Sequence, residues 1–229
     1  MRARLITFAL LLLLSLSVHA QDLIPFEADY KVFRGNSYIA DSRLTLKNEQ
    51  GEWIWRMDTK ARGIYKWLTR KRPFIETRMQ KIGGNKLRLL LETSGDYPDK
   101  LPKRSSWFDH KGELIYSMKG DTIKKQALPQ DVYNFHSIHL LYPQMHQQNE
   151  SNKTINFFKK GKLIESTLTL EKEVELKDRK KHLQVDKLTQ KFSGSKKYFI
   201  YYYHGNTLAP LKIEQINPGK DSSVMWRQD

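Results

Sequence analysis

Apolar and polar side chains alternate with a period of two almost from one end of this chain to the other. That rhythm belongs to half-buried strands and limits what the chain can fold into. Phe26, Ala28, Tyr30 and Val32 share one strand face, with Glu27, Asp29 and Lys31 opposite. Tyr38, Ala40, Ser42, Leu44 and Leu46 repeat the pattern, and Trp53, Trp55, Met57, Thr59 and Ala61 return after the turn "KNEQGE". Ile75, Thr77 and Met79 lead into "GGNK", a hairpin signal. Further turns at "DHKGE", "KGD", "KKGK", "KDRKK", "SGSK" and "NPGK" punctuate the rest. Roughly a dozen strands joined this closely become antiparallel neighbours, and so many rarely stay in a flat open sheet. The expected fold is all-β with one short helix: a single large antiparallel sheet, curled into a partly closed, barrel-like meander.

One stretch breaks the rhythm. From Asp131 to about Tyr142, Phe135, Ile138, Leu141, Tyr142 and Met145 cluster on one side of a helical wheel. Asp131 is the expected N-cap, and Pro143 should end or kink the helix because it lacks an N–H. The expectation is a helix near 131–142 packed on the concave side of the sheet, with Phe135, Ile138, Leu141, Trp53 and Trp55 in the core. The same stretch holds His136, His139 and His146. The wheel turns His136 toward solvent and His139 to the flank, and no nearby carboxylate completes a ligand set. No metal is therefore expected.

The first residues read "MRARLITFALLLLLSLSVHAQD": two arginines, an apolar run, then a small residue, Ala20. The run is shorter than the about 20 residues that span a bilayer. A secretory signal over residues 1–20, cleaved after Ala20, is expected, followed by one antiparallel β domain over 21–229. Removing residues 1–20 takes two arginines and no acid, which lowers the net charge from +15 to +13. With no cysteine in the chain there is no lipobox, disulfide or thiolate ligand. Such a charge on an exported protein is read either as a solubilising field or as an attraction to anionic lipid, lipopolysaccharide or acidic glycan. Export argues against nucleic acid as the partner.

No nucleophile elbow, P-loop, HExxH or Gly-x-Gly-x-x-Gly occurs. Carboxylates mostly alternate with lysines, as in "LEKEVELKDRKK", which reads as a solvated strand and turn. No catalytic residue and no cofactor are assigned. In "GIYKWLTRKRP", the cations Lys66, Arg70, Lys71 and Arg72 surround Tyr65 and Trp67. They are the candidate anionic rim, although a solvated connection gives the same pattern. "YFIYYYH" is apolar or aromatic on both strand faces. With Trp53 and Trp55, Tyr201 and Tyr203 are the candidate ligand-lining residues, although a strand covered on both sides would look the same.

Several stretches, in this order, resemble a bacterial family of exported proteins known as domain of unknown function 3108 (DUF3108). "PFEADYKVFRGNSYIADSRLTL" is similar to the family's opening strands, "DTKARGIYKWL" to its glycine-led connection and "SWFDHKGEL" to its aromatic-Asp hairpin. "LPQDVYNFHSIHLL" resembles the segment linking its halves. "NTLAPLKIEQINPG" resembles its ending, with Ala209 inserted before Pro210. The resemblance implies a β-rich exported domain and carries no catalytic residue.

The functional expectation is a periplasmic, non-catalytic binder of an amphipathic anionic ligand, such as phospholipid, lipopolysaccharide or an acyl chain in transit. It includes peripheral membrane contact and leaves oligomeric state open. A protein-interaction or assembly factor of the envelope, with a core filled by its own side chains, is the alternative class. A glycan hydrolase is a lesser one.

Overall fold

The computed structural model describes residues 23–228 apart from 69–71, 83–85, 98, 100, 179–180 and 206. The expected signal sequence and its cleavage after Ala20 lie outside the described residues.

The first meander comprises β1 (Phe26–Arg34), β2 (Ser37–Glu49), β3 (Glu52–Ala61), a helical turn α1 (Tyr65–Leu68), β4 (Arg72–Lys81), β5 (Leu87–Tyr97), β6 (Arg104–Asp109), β7 (Leu114–Lys119) and β8 (Thr122–Ala127). After β9 (Val132–Tyr133) come a 3-10 turn (Ser137–Leu140) and α2 (Leu141–Gln147). The second meander is β10 (Asn152–Lys159), β11 (Lys162–Asp178), β12 (Lys181–Phe192), β13 (Tyr198–Tyr203), β14 (Lys212–Ile216) and β15 (Ser223–Arg227).

All 15 strands form one sheet, in the order β8-β7-β6-β5-β4-β3-β2-β1-β15-β14-β13-β12-β11-β10-β9. Each meander is local, and β1 against β15 joins them, with Tyr30 opposite Arg227 and Val32 opposite Met225. Every pairing is antiparallel except β9 with β10. The β2–β3 and β10–β11 connections carry positive φ at two successive residues, Gln50 (53°) with Gly51 (87°) and Lys160 (54°) with Gly161 (83°). This is the mirror-image turn whose twist matches that of the flanking strands. The fold is all-β, as the alternation predicts, and the sheet curls without closing. At the seam the Gln126 side chain of β8 donates to the Gly161 carbonyl at 3.2 Å. Phe108 of β6 meets Phe158 of β10 edge-on at 5.1 Å.

The pleat puts Ala28, Tyr30, Leu44, Leu46, Trp53 and Trp55 inside, as their spacing predicts. The 3-10 turn and α2 fill the space between the halves. Leu140 packs with Leu46, Trp55, Phe108 and Phe158. Ile138, Leu141, Tyr142 and Met145 pack with Ile155, Phe157, Leu168, Leu188 and Tyr201. Phe135 is only half-buried, between His136, His139 and Phe199.

The helix expected over 131–142 begins later. Val132–Tyr133 are spent on a short strand beside Asn156 and Phe157. Asn134, not Asp131, serves the helical turn: its Oδ1 accepts the Ser137 N–H at 2.9 Å and the His136 N–H at 3.2 Å. Pro143 lies inside the first turn of α2, where its missing N–H would have had no helical partner. The helix ends instead at Asn149, whose φ of 52° lets Glu150 N–H reach the Met145 carbonyl at 2.9 Å. His136, expected toward solvent, is fully buried, because a wheel drawn from Asp131 has the wrong phase once residues 131–136 are not helical.

Candidate functional site

The interior of the curled sheet carries polar side chains among its buried aromatics, and Trp55 Nε1, His136 Nε2, His139 Nε2 and Gln190 Nε2 are buried there without a hydrogen-bond partner. Asn134 Nδ2 donates to Thr77 Oγ1 on β4 at 2.8 Å and to Glu92 Oε2 on β5 at 2.7 Å. Thr77 Oγ1 also meets His136 Nδ1 at 2.8 Å, and His139 Nδ1 meets the Tyr203 hydroxyl at 2.6 Å. The Tyr203 and Tyr142 rings stack with centres 3.9 Å apart. Trp55 lies parallel to His136 at 6.0 Å and tilted against His139 at 5.3 Å. Burial holds both imidazoles neutral, pushing them down to about 3. It pushes the Glu92 carboxyl up to about 7, against the opposing effect of the Asn134 hydrogen bond. Glu92 keeps some accessible surface as a residue, but its carboxyl is crowded by protein. Among the described residues, no group of three or more His, Asp or Glu side chains is arranged to hold a metal ion.

The four candidate lining residues are therefore core. Trp53 is 8% exposed, and Trp55, Tyr201 and Tyr203 are 0% exposed. They contact other side chains of the chain: the Tyr201 hydroxyl donates to Gln190 Oε1 at 3.0 Å, and Phe26 meets Trp55 edge-on at 5.5 Å. Of the candidate rim, Lys66 on α1 and Arg72 at the start of β4 are exposed, while Arg70 and Lys71 lie outside the described residues.

A different set of residues forms a concave site on the outer face. Lys31, Trp226, Lys212, Tyr202 and Lys187 are successive cross-strand partners over β1, β15, β14, β13 and β12. Direct opposition puts them on one face, with cations and aromatics alternating strand by strand. Lys212 Nζ lies 4.7 Å from the Trp226 ring centre and 5.1 Å from that of Tyr202, and it pairs with Glu214. Beyond this row the β11–β12 hairpin runs past the end of β13. A bulge between Glu171 and Val174 bends it, and Glu173 takes a φ of 53° there. Asp186 Oδ1 holds that bend by accepting the Glu173 N–H at 3.1 Å. The arm's Leu176 and Val185 pack with Leu211, and Tyr202 and Trp226 border this cluster.

Between arm and sheet lies a half-open cleft of about 600 Å3. Lys31, Lys177 and Lys212 line it with Phe33 and Trp226, and Glu214 pairs with Lys212 beside it. Arg227, directly opposite the buried Tyr30, is on the other pleat, where its Nη1 donates to the Ala209 carbonyl at 3.0 Å. The cleft can hold an anion by charge and an apolar or ring surface by Trp226 and Phe33. The residues were visible in "DYKVFRG" and "VMWRQD", but the β1–β15 pairing that unites them has no local signal.

No protein-family model matches the chain, and no curated protein matches it. Among solved structures, the chain is similar to a β-barrel-like protein of domain of unknown function DUF1849 from Brucella abortus. The TM-score is 0.58 at 9% identity, covering 90% of this chain and 97% of that one. That likeness is one of fold. The chain is a β-rich domain, and the comparisons do not show the expected membership of DUF3108.

Proposed function

We propose that this is an exported, non-catalytic protein of the Gram-negative periplasm that binds an amphipathic anionic envelope ligand in the outer cleft. The ligand class is phospholipid, lipopolysaccharide or a related acylated phosphate. The observation that carries the reading is a concave site lined by three lysines and two aromatics, Lys31, Lys177 and Lys212 with Phe33 and Trp226. Trp53, Trp55, Tyr201 and Tyr203 are buried, and the outer cleft is the concave cationic surface that supports this reading.

The test is native mass spectrometry of gently purified periplasmic protein with lipid extraction, alongside flotation with anionic vesicles. Lys31→Gln and Lys212→Gln should each weaken vesicle binding about fivefold, roughly 1 kcal/mol per surface cation, and salt should weaken it further. Protein that carries no lipid and ignores anionic vesicles at low salt would remove the reading.

A second reading, an envelope assembly factor, is favoured by another surface. Leu91, Trp107, Tyr116 and Lys125 are successive partners over β5 to β8. Trp107 is 42% and Ile123 65% exposed beside the free edge of β8. Affinity capture that depends on Trp107 would support it.

A further inference from the structure

We infer that the cleft is built for a ligand with two linked anionic groups, a diphosphate or two phosphates on one head group; this rests on the cleft being the binding site. The cations stand on two walls. Lys31 and Lys212 flank Trp226 on the sheet, one on each neighbouring strand. Adjacent strands lie about 4.8 Å apart, so their backbones are separated by roughly 10 Å. That gap can seat one phosphate above the indole edge, within reach of both flexible ammonium groups.

The opposite wall belongs to the hairpin arm, and Lys177 is its cationic lining residue. Lys177 sits next to Leu176, which packs with Leu211, so its backbone is anchored while its side chain stays exposed. A single phosphate on the sheet wall leaves Lys177 unused. A second, linked anionic group uses both walls and ties the arm to the sheet. Lys212 rests in the ligand-free chain against Glu214 and over Trp226 and Tyr202. An incoming phosphate competes with Glu214 for the ammonium and draws it off the indole, so Trp226 reports occupancy.

The same chemistry can arrive on a lipid or in solution, and the probes separate the two. Intrinsic fluorescence is titrated with inorganic phosphate and with pyrophosphate. Vesicles at equal surface charge carry phosphatidylglycerol, with one phosphate, or cardiolipin, with two. Pyrophosphate should bind at least tenfold more tightly than phosphate, and Trp226→Phe should abolish the signal. Lys177→Gln should cost pyrophosphate about tenfold and leave phosphate unchanged, whereas Lys66→Gln changes neither. Cardiolipin preference assigns a lipid source; pyrophosphate preference without it assigns a soluble one. Equal affinity for phosphate and pyrophosphate, or equal losses for both in Lys177→Gln, overturns the two-group inference and leaves the cleft as an anion site. Absence of binding by every anion removes the cleft itself.

Discussion

Asn134→Ala should be among the most damaging single substitutions in the chain. The side chain is fully buried and spans three elements: it donates to Thr77 and Glu92 and accepts from the His136 and Ser137 N–H groups. Each neutral bond contributes about 1 kcal/mol net, and a bond to a charged partner about 1.5–3. Non-additivity keeps the total below the sum, and leaving the Thr77–His136 pair and two turn N–H groups short of partners adds to the loss. The expected cost is about 3–5 kcal/mol, a large part of the 5–15 kcal/mol typical of a domain. At about 2–4 °C per kcal/mol for a domain of this size, Tm should fall by roughly 6–20 °C. Circular dichroism melts at neutral pH measure this. Anion binding at the outer cleft, on the other side of the sheet, should persist below the new Tm. A Tm within 2 °C of the parent would refute the idea that this residue anchors the plug to β4 and β5.

Glu92→Gln tests the raised carboxyl. Because the folded group titrates near 7 and the unfolded one near 4.5, the protonated form favours folding. That stabilisation is complete below the unfolded value and is lost as pH rises through 7. The Tm of Glu92→Gln relative to the parent should therefore climb between pH 4.5 and 7 and level off above; a flat difference would sink the assignment. The edge strand gives a third test. Lys124 and Lys125 are exposed on β8, whose outer edge has no strand partner among the described residues. Replacing both with valine should promote self-association, visible by light scattering, because lysine on an edge discourages strand addition. A monodisperse double variant would show that the seam already protects the edge.

The strands were legible because burial on one face imposes period two. Trp53, Trp55 and Leu44 could be placed inside from spacing alone, and "NPGK" marked the connection between β14 and β15, whereas "GGNK" falls largely outside the described residues. The segment 131–147 was legible as a break but not in phase, because the signal at Asn134 is tertiary. An asparagine three residues before a serine looks like many others until Thr77 and Glu92 arrive from β4 and β5. The cleft was hidden for a related reason. Lys31 and Trp226 lie 195 positions apart, and each reads alone as an ordinary strand residue. Aromatic density drew attention to Tyr201 and Tyr203, but on the inner face of a curled sheet such aromatics are core.

The order of the sheet also sets a timetable. Each meander zips by hairpins between neighbours, so both can form while the rest of the chain is still being made. The pairing of β1 with β15 is different: Tyr30 waits for Arg227 across nearly the whole chain. The length-dependent part of that loop closure is about 5 kcal/mol, offset only when the two strands and the buried faces beneath them meet together. Until then β1 has an unpaired inner edge, and Trp226 has no Lys31 beside it. A half-made chain thus has two sheets, two extra edges and no cleft. The outer cleft is completed only when β15 docks, in the same step that makes the sheet continuous.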